Sequence, residues 1–174
     1  MPVDDDLTQI MDEVDLLFVE LRELRASGPH FRIYHRFRKP GTLCAPGEEI
    51  ATVCLVHRGR EFCLPLSLAL RILFDYLARH SRLPQSATQI EAGIRADCFY
   101  LQHGTAGRNK SISRGISRSY VRVYIERLRS ALEIVFGRAS SPISSCDVLL
   151  SERTVMNEVG YRLKATFNWT HIDT

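Results

Sequence analysis

Residues 117–133 read SRSYVRVYIERLRSALE, a run in which four arginines alternate with branched apolar residues. Wound at 3.6 residues per turn, it aligns Val121, Ile125, Leu128 and Leu132 on one side, enough to bury one face. Ser119, Val123, Glu126, Arg127 and Ser130 fall opposite, with Tyr120 and Arg122 at the margins. A purely solvated face has little use for Val123, and a purely buried helix has little use for four arginines. The pattern predicts a helix packed on a small domain, offering its other face to something anionic and partly apolar.

Charge along the chain agrees. Residues 1–29 carry eight acids against Arg22 and Arg25, a net −6, whereas residues 30–174 carry 21 basic and 12 acidic residues, a net +9. Residues 99–130 hold seven basic residues against Glu126 alone. A basic body with an acidic appendage points to a polyanion as partner. Twenty of the 23 basic residues are arginine, the side chain suited to bidentate phosphate and base contacts.

At 174 residues the chain is long enough for one domain plus an appendage. No apolar run approaches the roughly 18 residues of a membrane span, and the opening MPVDDD is acidic, so neither a signal peptide nor a membrane helix is expected. The five cysteines (44, 54, 63, 98 and 146) are odd in number and lack CxxC spacing, which predicts free, structural thiols in a reducing cytoplasm. Cys54 and His57 fall on opposite faces of a strand, a poor geometry for shared zinc ligation. No nucleophile–base signature and no phosphate-binding glycine loop is present, so the expectation is a protein without catalysis, metal or cofactor.

Working outward from the central run, the N-terminal part repeats Leu7, Ile10, Val14, Leu17, Leu21 and Leu24 at spacings of three and four, an a/d pattern over three heptads. Asp4, Asp5 and Asp6 complement that helix's N-terminus, because no strand precedes them as it would in a phosphate-accepting acidic pair. Ala26 to Gly28 ends it. The heptads predict a homodimer, in which Glu20 would meet Arg25 of the other chain. Met11 and Phe18 widen the apolar face, which also suits a helix folded back on a domain.

From His30 to Leu64 the chain reads as strand, with FRIYHRF alternating over 31–37 and a hairpin turning at Arg58-Gly59. A helix follows behind Ser67 as N-cap, then a second with the capping-box spacing of Ser86 and Gln89. Residues 102–116 are polar, glycine-bearing and basic, hence a loop. The central helix then runs to about Phe136. Residues 146–169, CDVLLSERTVMNEVGYRLKATFNW, predict a closing β-hairpin that turns near Asn157-Glu158.

Strands, three helices and a hairpin make an α+β order, that of a winged helix-turn-helix with an N-terminal antiparallel sheet and an amphipathic helix in front. The shared residues Val121, Val123, Ile125, Arg127, Leu128, Arg129 and Leu132, then Thr154, Val155 and Gly160 to Leu163, resemble the end of the OmpR/PhoB-type winged-helix domain of response regulators. The resemblance covers roughly residues 48–167 and leaves residues 1–29 where a receiver domain would stand.

That resemblance implies double-stranded DNA as partner, with the third helix in the major groove. Arg127 matches a base- or phosphate-contacting arginine, Arg122 and Val123 sit at base-contacting positions, and Tyr120, Tyr124 and Arg129 at backbone-contacting or supporting ones. Arg118, Arg114, Lys110 and Arg108 add candidate phosphate contacts beside Ser119, which position a domain without specifying sequence. The hairpin tip reads MNEV where the family has an arginine and a glycine, so Arg153, Asn157 or the backbone would have to serve there. The long basic loop stands where the family can touch RNA polymerase. The expectation is a cytoplasmic bacterial transcription regulator without a phosphorylatable receiver. The alternative is a winged-helix module that binds RNA polymerase or another regulator without reading DNA.

Overall fold

The computed structural model describes residues 3–36, 50–96 and 116–172. Among these, five helices and two sheets form a mixed α+β structure. Helix α1 (Val3–Ser27) leads into β1 (His30–Arg36), and β2 (Ile50–His57) and β3 (Arg60–Cys63) form a hairpin. Helix α2 (Leu68–Arg79), the two-residue strand β4 (Gln85–Ser86) and α3 (Ala87–Ala96) follow. Then come α4 (Arg118–Ala139), the single turn α5 (Ser145–Val148), β5 (Leu149–Arg153), β6 (Val159–Leu163) and β7 (Thr166–Ile172).

Local sequence signals account for most of these boundaries. The β2–β3 turn places Arg58 and Gly59 at φ 50° and 73°, the paired positive values of a two-residue hairpin turn. Ser67 Oγ accepts from Leu70 N at 3.4 Å and caps α2. Ser86 Oγ accepts from Gln89 N at 3.2 Å while Gln89 Oε1 accepts from Ser86 N at 2.8 Å, a reciprocal box that starts α3. Helix α4 ends on Ser140 in the left-handed region, with Ser141 N reaching Phe136 O at 2.9 Å.

The first sheet has the order β3-β2-β1-β7 and the second β4-β6-β5. Two expectations are corrected here. The N-terminal sheet is mixed rather than antiparallel, because β7 lies parallel to β1 with Phe31 opposite Phe167. The closing segment is not one hairpin either. Its hairpin spans β5 and β6, after which the chain bends at Ala165 and crosses to the other sheet. The reason is burial. Phe167 stacks on Phe31 at 6.2 Å and meets Phe74 of α2 at 6.1 Å, while Phe31 and Phe74 pack edge to face at 5.1 Å.

That aromatic cluster joins the first sheet to α2. Phe31, Ile33, Val53 and Leu55 face it, and α2, α3 and α4 pack on one another beside it. Gly93 of α3 lies so close to the Tyr76 ring of α2 that a Cβ would stand 2.5 Å from it. Gly160 serves the same end: its φ is ordinary, and it is there because a Cβ would meet Thr154 Cγ2 at 2.7 Å and Pro84 Cβ at 3.0 Å. Close approach of β4 to β6, rather than an unusual backbone angle, excludes a side chain at that position.

Candidate functional site

Helix α4 is held on three sides. Val121, Ile125, Leu128 and Leu132 are buried in the core, as the periodicity predicts, with Ala131, Val135, Phe136 and Ala139 extending the seam. At its N-terminus the Ser117 side chain makes no capping hydrogen bond, and Glu91 of α3 serves instead, its Oε2 accepting from Arg118 N at 2.9 Å. At its side Arg129 turns inward. Its Nη2 donates to Leu149 O at 3.0 Å and to Ser151 Oγ at 2.8 Å, and its Nη1 to Glu126 Oε1 at 2.7 Å. Arg129 thereby ties α4 to β5, a supporting position.

What remains outward is a continuous strip. Arg118, Ser119, Arg122, Arg127 and Ser130 are exposed, and Tyr120 and Val123 keep 56% and 44% of their surface. Arg122, Val123, Glu126, Arg127 and Ser130 line a shallow depression along the helix. Arg127 lies 5.7 Å from the centre of the Tyr124 ring, a cation–π contact that steadies the guanidinium without using its donors. Glu126 is the one acid on the strip, and Arg129 already engages it.

The β5–β6 hairpin projects next to this helix. Across it Arg162 and Glu152 form a two-pronged ion pair, both contacts at 2.8 Å, and the Arg162 guanidinium holds the Glu152 carboxyl below the usual range. The tip is closed by Thr154, whose backbone N donates to Glu158 O at 2.9 Å. Its Oγ1 accepts from Glu158 N at 3.2 Å. Asn157 adopts φ 60° there, and Arg153 Nη1 donates to Asn157 O at 3.0 Å. Val155 and Met156 stand 93% and 77% exposed, so the tip itself is apolar. Tyr161 is buried in the core and anchors the hairpin's base.

Lys110, Arg114 and Arg108 lie outside the described residues. So does most of the basic loop, and with it the place read as facing RNA polymerase.

Helix α1 divides into two parts. Leu7, Ile10, Val14 and Leu17 are exposed together with Met11 and Phe18, whereas Leu24 packs on the core and Leu21 is half-buried. Glu20 does not wait for a second chain. Its carboxylate takes Arg58 of the β2–β3 turn at 2.7 Å and 3.3 Å and lies 3.3 Å from Nε2 of the buried His57. Within the chain Glu20 is thus an anchor of α1 on the β2–β3 turn, and its expected pairing with Arg25 of a second chain would have to share that carboxylate. Gly28, at φ 76°, then lets the backbone turn into β1 at a point where a Cβ would stand 2.1 Å from Lys164 O.

Among the described residues no group of three His, Cys, Asp or Glu side chains is placed to hold a metal ion, and no helix is long and apolar enough to cross a membrane. No protein-family model, curated protein or solved structure matches this chain.

Proposed function

We propose that this chain is a sequence-specific DNA-binding transcription regulator of the OmpR/PhoB winged-helix type. In this reading α2, α3 and α4 are the three helices, α4 reads the major groove, and the β5–β6 hairpin is the wing. The outward strip of α4 carries the proposal: Arg122, Val123 and Arg127 lie opposite a fully buried seam, beside a projecting hairpin. A B-form major groove admits one helix, arginine pairs bidentately with guanine, and an exposed valine packs on a thymine methyl. Arg118 and Ser119 at the helix start suit phosphate contacts that set register. The free stripe of α1 supports a dimer, whose two-fold symmetry would favour an inverted-repeat site.

The test is binding to a short duplex from the region upstream of the protein's own coding sequence, against a scrambled duplex of equal length. Tighter binding to the native duplex, weakening with salt at a log–log slope of about −0.9 per phosphate contacted, is the expected result. Equal binding to both duplexes, all of it removed by salt, would reduce the strip to an electrostatic surface.

A second reading has its own support. The apolar tip of Val155 and Met156 suits contact with a protein better than contact with a phosphate backbone. In that reading the module docks on RNA polymerase or another regulator without reading DNA, and no binding to either duplex at low salt would favour it.

A further inference from the structure

We infer that Cys54 and Cys63 form a redox modification site, a thiol pair that a hydroperoxide closes into a reversible disulfide within the β2–β3 hairpin. The inference does not depend on DNA binding. Cys54 and Cys63 are direct cross-strand partners, each three residues from the pair His57 and Arg60 that closes the turn. Leu64 N donates to Val53 O at 2.8 Å, so the cysteines occupy the adjoining pair without mutual backbone hydrogen bonds. In such a pair the Cα atoms stand about 4.5 Å apart, inside the range a disulfide spans. Their sulfurs lie 3.0 Å apart. Closure to a bond of about 2.05 Å therefore asks for about 1 Å of movement and no change of register.

The two thiols differ in accessibility, which sets the order of events. Cys63 is exposed, on the edge strand of its sheet, whereas Cys54 is buried. Burial thus separates two thiols that the sequence reads alike. Burial, reinforced by the neighbouring Cys63, pushes the Cys54 thiol up to about 12, so it stays protonated. Cys63 is then the partner that meets the oxidant. Its thiolate sulfur attacks hydrogen peroxide, the O–O bond breaks, and a sulfenic acid and hydroxide result. The Cys54 sulfur attacks the sulfenic sulfur, the S–S bond forms, the S–O bond breaks, and water leaves with the Cys54 proton. The other thiol proton turns the hydroxide into a second water. Two thiols and one peroxide give one disulfide and two waters.

The site was legible in part. The turn at Arg58-Gly59 alone pairs residues 54 and 63, whereas an odd cysteine count without CxxC spacing carries no sign of the pair.

The experiment uses the full chain with Cys44, Cys98 and Cys146 changed to serine, so that only the pair remains, and the unaltered chain beside it. After mild hydrogen peroxide, both thiols should become resistant to alkylation and the chain should lose two hydrogens in mass without forming covalent dimers. Peptide mapping of the unaltered chain should join the Cys54 and Cys63 peptides, and dithiothreitol should release them. The oxidised form should melt on the order of 5 °C higher, since the link closes a short loop in the unfolded chain. In Cys63→Ser, Cys54 should stay alkylatable once unfolded and the melting shift should vanish. Accumulation of sulfinic or sulfonic acid at Cys63 beside a free Cys54 would overturn the inference, as would a disulfide through any other cysteine.

Discussion

Arg129 and Leu149 are joined through the backbone: the guanidinium places Nη2 at 3.0 Å and Nε at 3.3 Å from the Leu149 carbonyl, fixing α4 to the first strand of the hairpin. Two residues earlier, Arg127 points away from the body. Neighbours in sequence, the two arginines therefore have separable roles. Arg129→Ala leaves the Leu149 carbonyl short of a charged donor, a loss of roughly 1.5–3 kcal/mol. Thermal unfolding should fall by about 5 °C. Arg127→Ala should leave the melting temperature unchanged and weaken specific duplex binding by about 10–100-fold, the worth of one bidentate base contact. Intact duplex binding in Arg127→Ala would remove that residue from the reading face.

How far the fold was legible follows from sequence separation. The Ser86–Gln89 box, the Ser67 cap and the Arg58-Gly59 turn close within three or four residues, and each was readable because its chemistry is local. The buried seam of α4 was readable from periodicity for the same reason. The parallel pairing of β7 with β1 was not, since it joins His30 to Thr166 and has no turn to announce it. Glu91 capping α4 and Glu20 holding Arg58 are roles that join distant elements, so Glu91 in isolation reads as an ordinary exposed acid and Glu20 as a heptad residue facing Arg25 of a second chain. Only the resemblance puts Arg129 among supporting or backbone-contacting positions. Its real partners include a main-chain carbonyl, which leaves no mark in composition.

The exposed part of α1 makes the dimer testable without harming the body. Ile10 and Val14 are 56% and 42% exposed. Ile10→Asp with Val14→Asp should convert a dimer to a monomer by light scattering, with the melting of the body unaffected. Removing residues 1–29 is a harsher test, because it also strips Leu24 from the core and Glu20 from Arg58. An unchanged oligomer in the double aspartate variant would sink dimerisation through this stripe.

Gly28 is a point where backbone freedom and space coincide. Its φ of 76° disfavours any L side chain, and a Cβ would lie 2.1 Å from the Lys164 carbonyl oxygen. The surrounding contacts are backbone on both sides, with Thr166 N donating to Pro29 O at 2.9 Å, so neither strand can give way without loss. Gly28→Ala should destabilise by about 2–3 kcal/mol or more, measured by urea unfolding. A loss below about 1 kcal/mol would mean that the α1–β1 junction is looser than described.

Asp75 supplies the pH dependence. It is buried on α2, accepts from Trp169 Nε1 of β7 at 3.0 Å, and lies 3.5 Å from His35 Nε2 of β1, with Arg79 as its ion-pair partner one turn on. Burial by itself would raise this carboxyl; His35, Trp169 and the Arg79 charge outweigh burial and hold it below the usual range. A depressed folded pKa stabilises the fold above the unfolded value of about 3.9, and that contribution is lost as pH falls through the folded pKa. Asp75→Asn keeps the shape and an acceptor for Trp169 but removes the charge facing Arg79, and should cost about 2 kcal/mol near neutral pH. The two proteins should converge as pH falls from the unfolded value toward the lower folded one, because protonation, first of the unfolded and then of the native carboxyl, removes what the substitution has already removed. Stability followed by urea unfolding from pH 7 to pH 3 reads both. A difference that stays constant across that range would place the cost in packing rather than in the carboxylate's charge, and would leave the link between β1, α2 and β7 to the aromatic cluster alone.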